Sequence, residues 1–219
     1  HTRAGDGGEG VFELGVAEAG GGTLERGVRG TALLQEAGKV VGLRATHGDQ
    51  DVEFRSRAVV ICDGGFQGDP ELLRRFISPR PDALFTRGAG TGCGDGLRMA
   101  EALGAQLVGT DRFYGHLLGR ETFDNEKLWP YPTVDAIARA SILVDGAGNR
   151  LFDEGRGGIY LANEIAKLDN PLTISVVFDD VVWNGLAADE HRVPPEVDHR
   201  PVLAHQVETE QKLGAMALF

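Results

Sequence analysis

Apolar and polar positions alternate in the first quarter of the chain, which is typical of half-buried β-strands. The pattern predicts strands at Gly27–Leu34, Lys39–Ala45 and Asp51–Phe54. Glycine and polar residues cluster at Glu36–Lys39 and at His47–Gln50, between these strands. Short clusters of this kind predict tight turns, so the segment is expected to form β-hairpins.

A continuous apolar run, Ala58-Val-Val-Ile-Cys62, comes next and ends abruptly at Asp63-Gly64-Gly65. Such a run predicts a strand over Arg57–Ile61 that is buried on both faces. A strand that leads directly into paired glycines is typical of a nucleotide-binding α/β sheet, where the ligand crosses the strand ends. The pattern therefore favours an α/β domain in the first half of the chain.

Two helices are predicted in this half. Asp69 and Pro70 are a favourable N-cap and first-turn residue for the first helix, which the Pro79-Arg-Pro81 segment ends. The second helix is predicted at Leu97–Leu103 and is closed by Gly104.

The pattern changes beyond about residue 110. A hairpin is predicted over Ser141–Phe152, a helix at about Ile159–Leu168 and a strand at Leu172–Phe178. We therefore divide the chain into part of an α/β cofactor-binding domain, residues 1–110, and a second α+β module, residues 111–219.

The second helix follows a loop in which every second residue from Gly88 to Gly96 is glycine. Glycines adopt positive φ and let the backbone approach a ligand closely, because no Cβ stands in the way. The start of a helix also directs free N–H groups towards a bound group. Asp95 is the only acid of this loop, which makes the segment a candidate cofactor cradle.

Composition narrows the possible partners. The chain has 219 residues and a net charge of −11, which argues against a nucleic-acid or anionic membrane partner. No apolar run approaches the length of a membrane span, and no signal-peptide pattern is present, so we expect a cytoplasmic protein. Two cysteines are too few for a disulfide framework or a cysteine zinc site, and no metal site is predicted. The chain begins His1-Thr2-Arg3 without Met, which suggests an excerpt of a longer protein.

Four segments, taken in order, resemble the flavoproteins of the fumarate reductase/succinate dehydrogenase class. Residues 58–66 resemble that class's ATGGF segment, and residues 94–105 resemble its TGDG loop and the helix that follows. Tyr114-Gly-His116 falls where the class carries the histidine of its HP motif. Residues 142–154, ILVDGAGNRLFDE, are similar to its ILVN hairpin.

The resemblance implies a partial FAD-binding, Rossmann-like domain followed by a capping domain, with substrate held between them against the flavin. It implies hydride transfer between FAD and a substrate C–C bond that lies next to a carboxylate or ketone. The class's N-terminal GxGxxG unit does not occur in this sequence. FAD is therefore expected in the intact protein, with its pyrophosphate site outside these residues. The sequence assigns no electron acceptor.

The resemblance also implies residue roles on the cofactor side. Asp95 would contact FAD, with N-capping of the following helix as the alternative. Gly64 and Gly65 would lie under the adenosine or pyrophosphate portion, with a plain strand-end turn as the alternative. The cofactor-binding set is Asp63, Gly64, Gly65, Gly94, Asp95 and Gly96.

His116 and Arg156 are the candidate catalytic residues. Histidine suits polarising a carbonyl or binding a carboxylate, although it is often a plain hydrogen-bonding residue. Arg156 can bind a carboxylate with both arms of its guanidinium, the alternative being a surface ion pair with Glu154 or Asp153. The class's fumarate reductases carry an arginine proton donor four residues after the position of Glu154. Here that position is Gly158, which weakens the case for fumarate or succinate as substrate.

Tyr114 and Tyr160 raise a different possibility, because flavin dehydrogenases that act on 3-oxosteroids use tyrosines to polarise a ketone and to abstract a proton. A phenol near a cationic group is suited to that role. A third hypothesis is a cofactor-free binding module without catalysis of its own. Flavin absorbance of the purified protein distinguishes it from the other two.

Overall fold

A computed structural model describes residue 23 and residues 25–86, 88, 90–119 and 134–185, with the side chains of 183–185 excepted. The chain forms two compact units. The first contains the residues up to Leu73 together with Thr86–Gly109, and the second contains Arg74–Phe85 and the residues from Thr110 onwards. The mixed helix and sheet content that the sequence predicts is confirmed.

The first unit contains an antiparallel meander of three strands, β1 (Val28–Glu36), β2 (Lys39–His47) and β3 (Gln50–Arg55). The three strands predicted in this region are confirmed; β2 and β3 are each two residues longer than predicted, and β1 begins one residue later and ends two residues later than predicted. Val28 on β1 and Leu43 and Ala45 on β2 are buried on one face, whereas Arg44 between them is exposed. This alternation is the period-two pattern of a sheet with one solvated face.

The strand predicted at Arg57–Ile61 is wrong. These residues adopt no regular secondary structure, and the Val60 side chain is 77% exposed. A strand that is buried on both faces needs hydrogen-bonding neighbours and covering layers. In the described ranges no strand pairs with this segment, and both sheets there are antiparallel.

Helix α1 (Pro70–Phe76) begins as predicted and ends at Phe76, before the predicted Pro79-Arg-Pro81 segment. The Asp69 carboxylate accepts hydrogen bonds from the N–H groups of Glu71 and Leu72, at 2.8 and 2.9 Å, which is the N-cap arrangement. Helix α2 (Asp95–Ala102) begins two residues earlier than predicted. It packs on β1, where a Cβ at Gly30 would lie 3.6 Å from the methyl carbon of Met99.

The second unit contains α3 (Asp135–Arg139), β4 (Ile142–Val144), α4 (Gly158–Ala166), β5 (Ser175–Val177) and α5 (Asp180–Gly185). The predicted helix at about Ile159–Leu168 is confirmed as α4. The predicted strand at Leu172–Phe178 is shortened to β5, because Pro171–Thr173 forms a 3₁₀ turn before it. The core consists of apolar side chains from these elements and from the segments beside them: Leu117, Val134, Ile137, Ala138, Leu143, Leu161, Ala162, Ile165, Ile174 and Val176.

The predicted hairpin over Ser141–Phe152 is only partly correct. Its turn is present, because the Asp145 carboxylate accepts hydrogen bonds from the N–H groups of Ala147 and Asn149. However, a single bridge between Val144 and Arg150 joins its two arms. Strand β4 pairs instead with β5, in an antiparallel two-stranded sheet.

Candidate functional site

The predicted cofactor residues come together in the first unit. The Gly94 N–H donates to the carbonyl oxygen of Gly65 at 3.1 Å, and the Gly96 N–H donates to the Asp63 carboxylate at 2.6 Å. The segment 63–65 therefore lies directly against the start of helix α2. These two bonds join the pair of glycine motifs that the sequence analysis identified separately.

Gly94 and Gly96 at this junction lie so close to neighbouring side chains that a Cβ would not fit. Gly94, the N-cap of α2, has φ +74°, and a Cβ there would lie 2.5 Å from Leu72 Cδ1. A Cβ at Gly96 would lie 2.2 Å from Ile61 Cγ2 and 2.6 Å from the Asp63 carboxylate. By contrast, Gly64 has φ +84° and open space around its Cβ position. Only Gly64 of these three leaves room for a ligand beside its Cα.

Asp95 is the first residue of α2 and does not cap it, since the N-cap is Gly94. The N-cap alternative for Asp95 is therefore wrong. Its carboxylate is 20% exposed and lies 3.3 Å from the Arg29 guanidinium on β1. The pair leaves a carboxylate oxygen of Asp95 able to accept a further hydrogen bond.

The polar groups at the start of α2 indicate which part of FAD these residues can bind. The Gly96 N–H, at the start of helix α2, donates to the Asp63 carboxylate and is therefore not free to bind a phosphate. The carboxylates of Asp63 and Asp95, both at the start of α2, repel an anion and can accept hydrogen bonds from hydroxyl groups. The residues therefore fit the hydroxyl-bearing sugar portions of FAD and do not fit its pyrophosphate.

The second unit contains the predicted catalytic histidine. His116 Nδ1 lies 2.6 Å from the Asp135 carboxylate, whose other oxygen accepts the Leu117 N–H at 3.0 Å. Because a carboxylate only accepts hydrogen bonds, His116 carries a proton on Nδ1 and directs Nε2 away from Asp135. The His116 side chain is 25% exposed. In the part of the chain that the structure describes, no hydrogen bond reaches Nε2.

Asn163 on α4 holds the chain just before His116. Its side-chain oxygen accepts the Phe113 N–H at 2.9 Å, and its amide nitrogen donates to the Phe113 carbonyl at 2.8 Å. The amide also donates to the Ile159 carbonyl within α4. Asn163 is 9% exposed, so these bonds are shielded from water. The segment that carries His116 is thus fixed on both sides, by Asn163 and by Asp135.

Tyr114 and Arg156, the other predicted catalytic residues, differ in their surroundings. The Tyr114 ring packs edge-on against His116, with the ring centroids 5.2 Å apart, and Tyr114 is 79% exposed. The Arg156 guanidinium stacks on the Tyr160 ring, 3.8 Å from its centroid. No carboxylate among the described residues pairs with Arg156. Glu154, its suggested partner, pairs with Arg150.

Glu154 is a structural residue. It is 2% exposed, accepts the Leu143 N–H at 2.8 Å and binds Arg150 at 2.6 Å. Burial raises the pKa of the Glu154 carboxyl, but the hydrogen bonds from Arg150 and from the Leu143 N–H outweigh burial and leave that pKa below its usual value. Glu154 therefore holds β4 as an ionised carboxylate.

Sequence reasoning missed Asp135 and Asn163. Asp135 is 19 residues from His116, and Asn163 is 50 residues from Phe113. Neither pair shares a motif or a helical spacing, so no local signal identifies them. Within the described ranges, no group of three or more His, Cys, Asp or Glu side chains is arranged to hold a metal. No helix in those ranges is long and apolar enough to cross a bilayer.

The sequence of this chain is similar to those of known proteins. A model of the FAD binding domain family matches residues 7–188. The chain is 30% identical over 141 residues to a KsdD-like steroid dehydrogenase of Mycolicibacterium smegmatis. The aligned region covers 58% of this chain and 24% of that protein. It is 28% identical over 192 residues to the 4-oxocyclohexanecarboxylate 2-dehydrogenase of Sinomonas cyclohexanicum, with 83% and 33% covered.

A solved structure also shares the fold. The 3-ketosteroid-Δ4-(5α)-dehydrogenase from Rhodococcus jostii RHA1, in complex with 4-androstene-3,17-dione, superposes with a TM-score of 0.52 at 21% identity. The match covers 87% of this chain and 37% of that one.

The chain belongs to the FAD binding domain family of flavin-dependent oxidoreductases, and FAD is its cofactor. The flavoprotein class that the motifs predicted is thereby confirmed. The chain spans a quarter to a third of the length of the two curated relatives, 24% and 33%. The cofactor-free binding module is not supported.

Proposed function

We propose that this chain is part of an enzyme that transfers hydride between FAD and a substrate C–C bond next to a ketone or a carboxylate. The observation that carries this proposal is His116, whose Nδ1 is bound to Asp135 while Nε2 has no partner among the described residues. A fixed imidazole with one unpaired nitrogen is suited to binding or protonating a substrate. When bound, FAD supplies the hydride acceptor or donor.

Arg156 is proposed to bind an anionic group of the substrate. Stacking on Tyr160 restrains the guanidinium while leaving the N–H groups along its edge available. A guanidinium stays protonated, so Arg156 binds or orients a carboxylate and does not store protons. Substrates that carry a carboxylate therefore depend on Arg156 more than neutral ketones do.

A ketone is the second candidate for the activating group, with Tyr114 as the residue that polarises it. The exposed Tyr114 side chain beside His116 supports this alternative, because its hydroxyl can donate to a carbonyl oxygen. Both curated relatives named above are dehydrogenases, one of steroids and one of an oxo-carboxylate. A substrate with both groups, a ketone and a carboxylate, would use Tyr114 and Arg156 together.

On the cofactor side, we infer that Asp63 and Asp95 bind sugar hydroxyls of FAD at the junction formed by Gly64, Gly65, Gly94 and Gly96. The open backbone at Gly64 supports this assignment, as do the two carboxylates beside the start of α2. We further infer that residues 1–110 belong to the FAD-binding domain and residues 111–219 to a substrate-binding, capping domain. A cytoplasmic location stays a prediction.

The first test is the visible absorbance of the purified protein. Bound oxidised flavin gives a yellow protein, and Asp95→Ala is expected to weaken FAD binding. The matched control is Asp51→Ala, which removes an exposed carboxylate from β3. A protein that stays colourless after incubation with FAD contradicts the cofactor assignment for these residues.

The second test is a dye-coupled assay with three substrates: a neutral 3-ketosteroid, 4-oxocyclohexanecarboxylate and succinate. His116→Ala is expected to lower kcat for every accepted substrate by about 10²-fold or more, the usual contribution of a general acid or base. Arg156→Ala is expected to raise KM for the carboxylates only. His47→Ala and Arg80→Ala, both on exposed surfaces, are the controls. Unchanged kinetics in both site variants would refute the proposed roles.

A further inference from the structure

We propose that Asp135 is the positioning residue that makes His116 a proton-transfer group, and that Gly158 is required because only glycine leaves room for the Asp135 carboxylate. This inference rests on the proposed function of His116. It assigns the proton transfer to the pair formed by His116 and Asp135.

The first observation is how Asp135 divides its two oxygens. One oxygen accepts from His116 Nδ1 at 2.6 Å, and the other accepts the Leu117 N–H at 3.0 Å. The Leu117 carbonyl in turn accepts the Val134 N–H at 2.9 Å. The carboxylate is therefore bound to the backbone directly after the imidazole that it holds, and a second bond joins the backbone of Leu117 to that of Val134, next to Asp135. The ring cannot rotate without breaking the bond to Asp135.

The second observation concerns Gly158, the first residue of α4. A Cβ at this position would lie 2.2 Å from one oxygen of the Asp135 carboxylate and 2.6 Å from its Cβ. Contacts this short do not occur between real side chains, so any larger residue displaces Asp135. The φ of Gly158 is not positive, which means that the backbone itself does not demand glycine. The glycine is explained by the space that the carboxylate occupies.

The third observation is the independent support of the histidine segment. Asn163 binds both the N–H and the carbonyl of Phe113, three residues before His116. The His116 segment is thus held from two elements, by Asn163 on α4 and by Asp135 on α3. Anchoring from α4 and from Asp135 holds the imidazole in one orientation before substrate arrives, which lowers the cost of reaching the reactive geometry.

The chemical consequence concerns the tautomer of His116. Asp135 keeps the proton on Nδ1, so the lone pair of the neutral ring lies on Nε2. In the oxidation direction, Nε2 takes a proton from the carbon next to the ketone or carboxylate. The electron pair of that C–H bond would become the new C=C bond, and the neighbouring carbon would lose a hydride, with its two electrons, for which FAD would supply the acceptor. Reduction reverses these transfers.

The decisive variant is Asp135→Asn, which keeps size and shape. The amide oxygen can still accept the Leu117 N–H, and the NH₂ group then faces Nδ1 and donates to it. His116 is driven into the opposite tautomer, with the proton on Nε2 and no lone pair for the substrate. Asp145→Asn, on an exposed turn of the same unit, is the matched control.

¹⁵N NMR of the labelled, FAD-loaded protein reads the tautomer directly at a pH where the ring is neutral. We expect a protonated Nδ1 in the wild type, the opposite tautomer in Asp135→Asn, and no change in Asp145→Asn. A protonated Nε2 in the wild type would overturn the proposal without any variant. In the dye-coupled assay, Asp135→Asn should lower kcat by about 10²-fold or more with little change in KM.

Gly158→Ala tests the space argument. Alanine stabilises a helix more than glycine does, so helix propensity alone would raise the Tm of this variant. A lower Tm would therefore come from the clash with Asp135. In an Asp135→Ala background the same change is expected to leave Tm unchanged or to raise it. Gly146→Ala is the control, because its Cβ would meet only Thr173, at an ordinary 3.9 Å. An equal loss of Tm in both backgrounds would contradict the role of Gly158.

The outcomes separate this inference from the function on which it rests. If His116→Ala abolishes turnover while Asp135→Asn leaves both the tautomer and kcat unchanged, the positioning role fails and the proposed function stands. If His116→Ala leaves turnover unchanged, the proposed function of His116 fails, whatever tautomer the NMR spectra show.

Discussion

Replacing Glu154 by alanine tests whether a single buried carboxylate holds β4 in the second unit. The change removes the acceptor of the Leu143 N–H, a group beside a fully buried side chain. An unsatisfied buried donor costs about 1–3 kcal/mol. The lost methylene adds about 0.8 kcal/mol. Arg150 is excluded from this sum, because its guanidinium is exposed and regains water.

The expected loss for Glu154→Ala is therefore about 2–4 kcal/mol of unfolding free energy. Glu154→Gln retains an acceptor for the Leu143 N–H and loses only the charged bonds to Arg150, so its loss should be about 1–2 kcal/mol. Urea unfolding followed by circular dichroism gives the free energies. Amide hydrogen exchange at Leu143 reports the local effect.

The pH dependence provides a second check on Glu154. Its pKa is lower in the folded protein than in the unfolded chain, so the stabilisation is fully present above the ordinary pKa of a glutamate, 4.5. It is lost as the pH falls through the lower folded value. The stability difference between wild type and Glu154→Gln should thus be constant near neutral pH and shrink in acid.

Glu164→Gln is the control for these measurements, since Glu164 forms an exposed ion pair with Lys167 and should change stability by less than about 0.5 kcal/mol. The reasoning would be refuted by a Glu154→Ala loss as small as that of the control. A difference between wild type and Glu154→Gln that does not change with pH would also refute it.

Three further predictions concern the local structure. Asp69→Ala should destabilise the first unit by about 1 kcal/mol in urea unfolding through loss of the α1 cap, and Asp69→Asn should lose less because an amide can still cap. Gly94→Ala should lower Tm and FAD affinity more than Gly104→Ala does, because both have positive φ but only Gly94 is enclosed by side chains; equal effects would contradict this. Asn163→Leu should speed amide exchange at Phe113 and lower kcat, and unchanged exchange would contradict the role of Asn163 in holding the Phe113 backbone.

Local patterns in the sequence predicted much of the first unit. The alternation of apolar residues identified β1, β2 and β3, because period-two burial is set by neighbours within a hairpin. Asp69 and Pro70 predicted the start of α1 for an equally local reason, since a cap binds N–H groups two and three residues away. The motifs around Asp95 and His116 identified the flavoprotein family from residues 58–154 alone.

Tertiary structure decided the features that need contacts between residues far apart in the sequence. The apolar run at Arg57–Ile61 is not a strand, because strand formation requires a neighbour that the local pattern does not specify. Strand β4 pairs with β5 and not with the second arm of its own hairpin, since burial of Leu143 and Val176 in the core favours that pairing. Asp135 reaches His116 only because α3 and the His116 segment meet beside Gly158. Hydrogen bonds between residues far apart in sequence follow from how the whole chain packs, and residue spacing does not encode them.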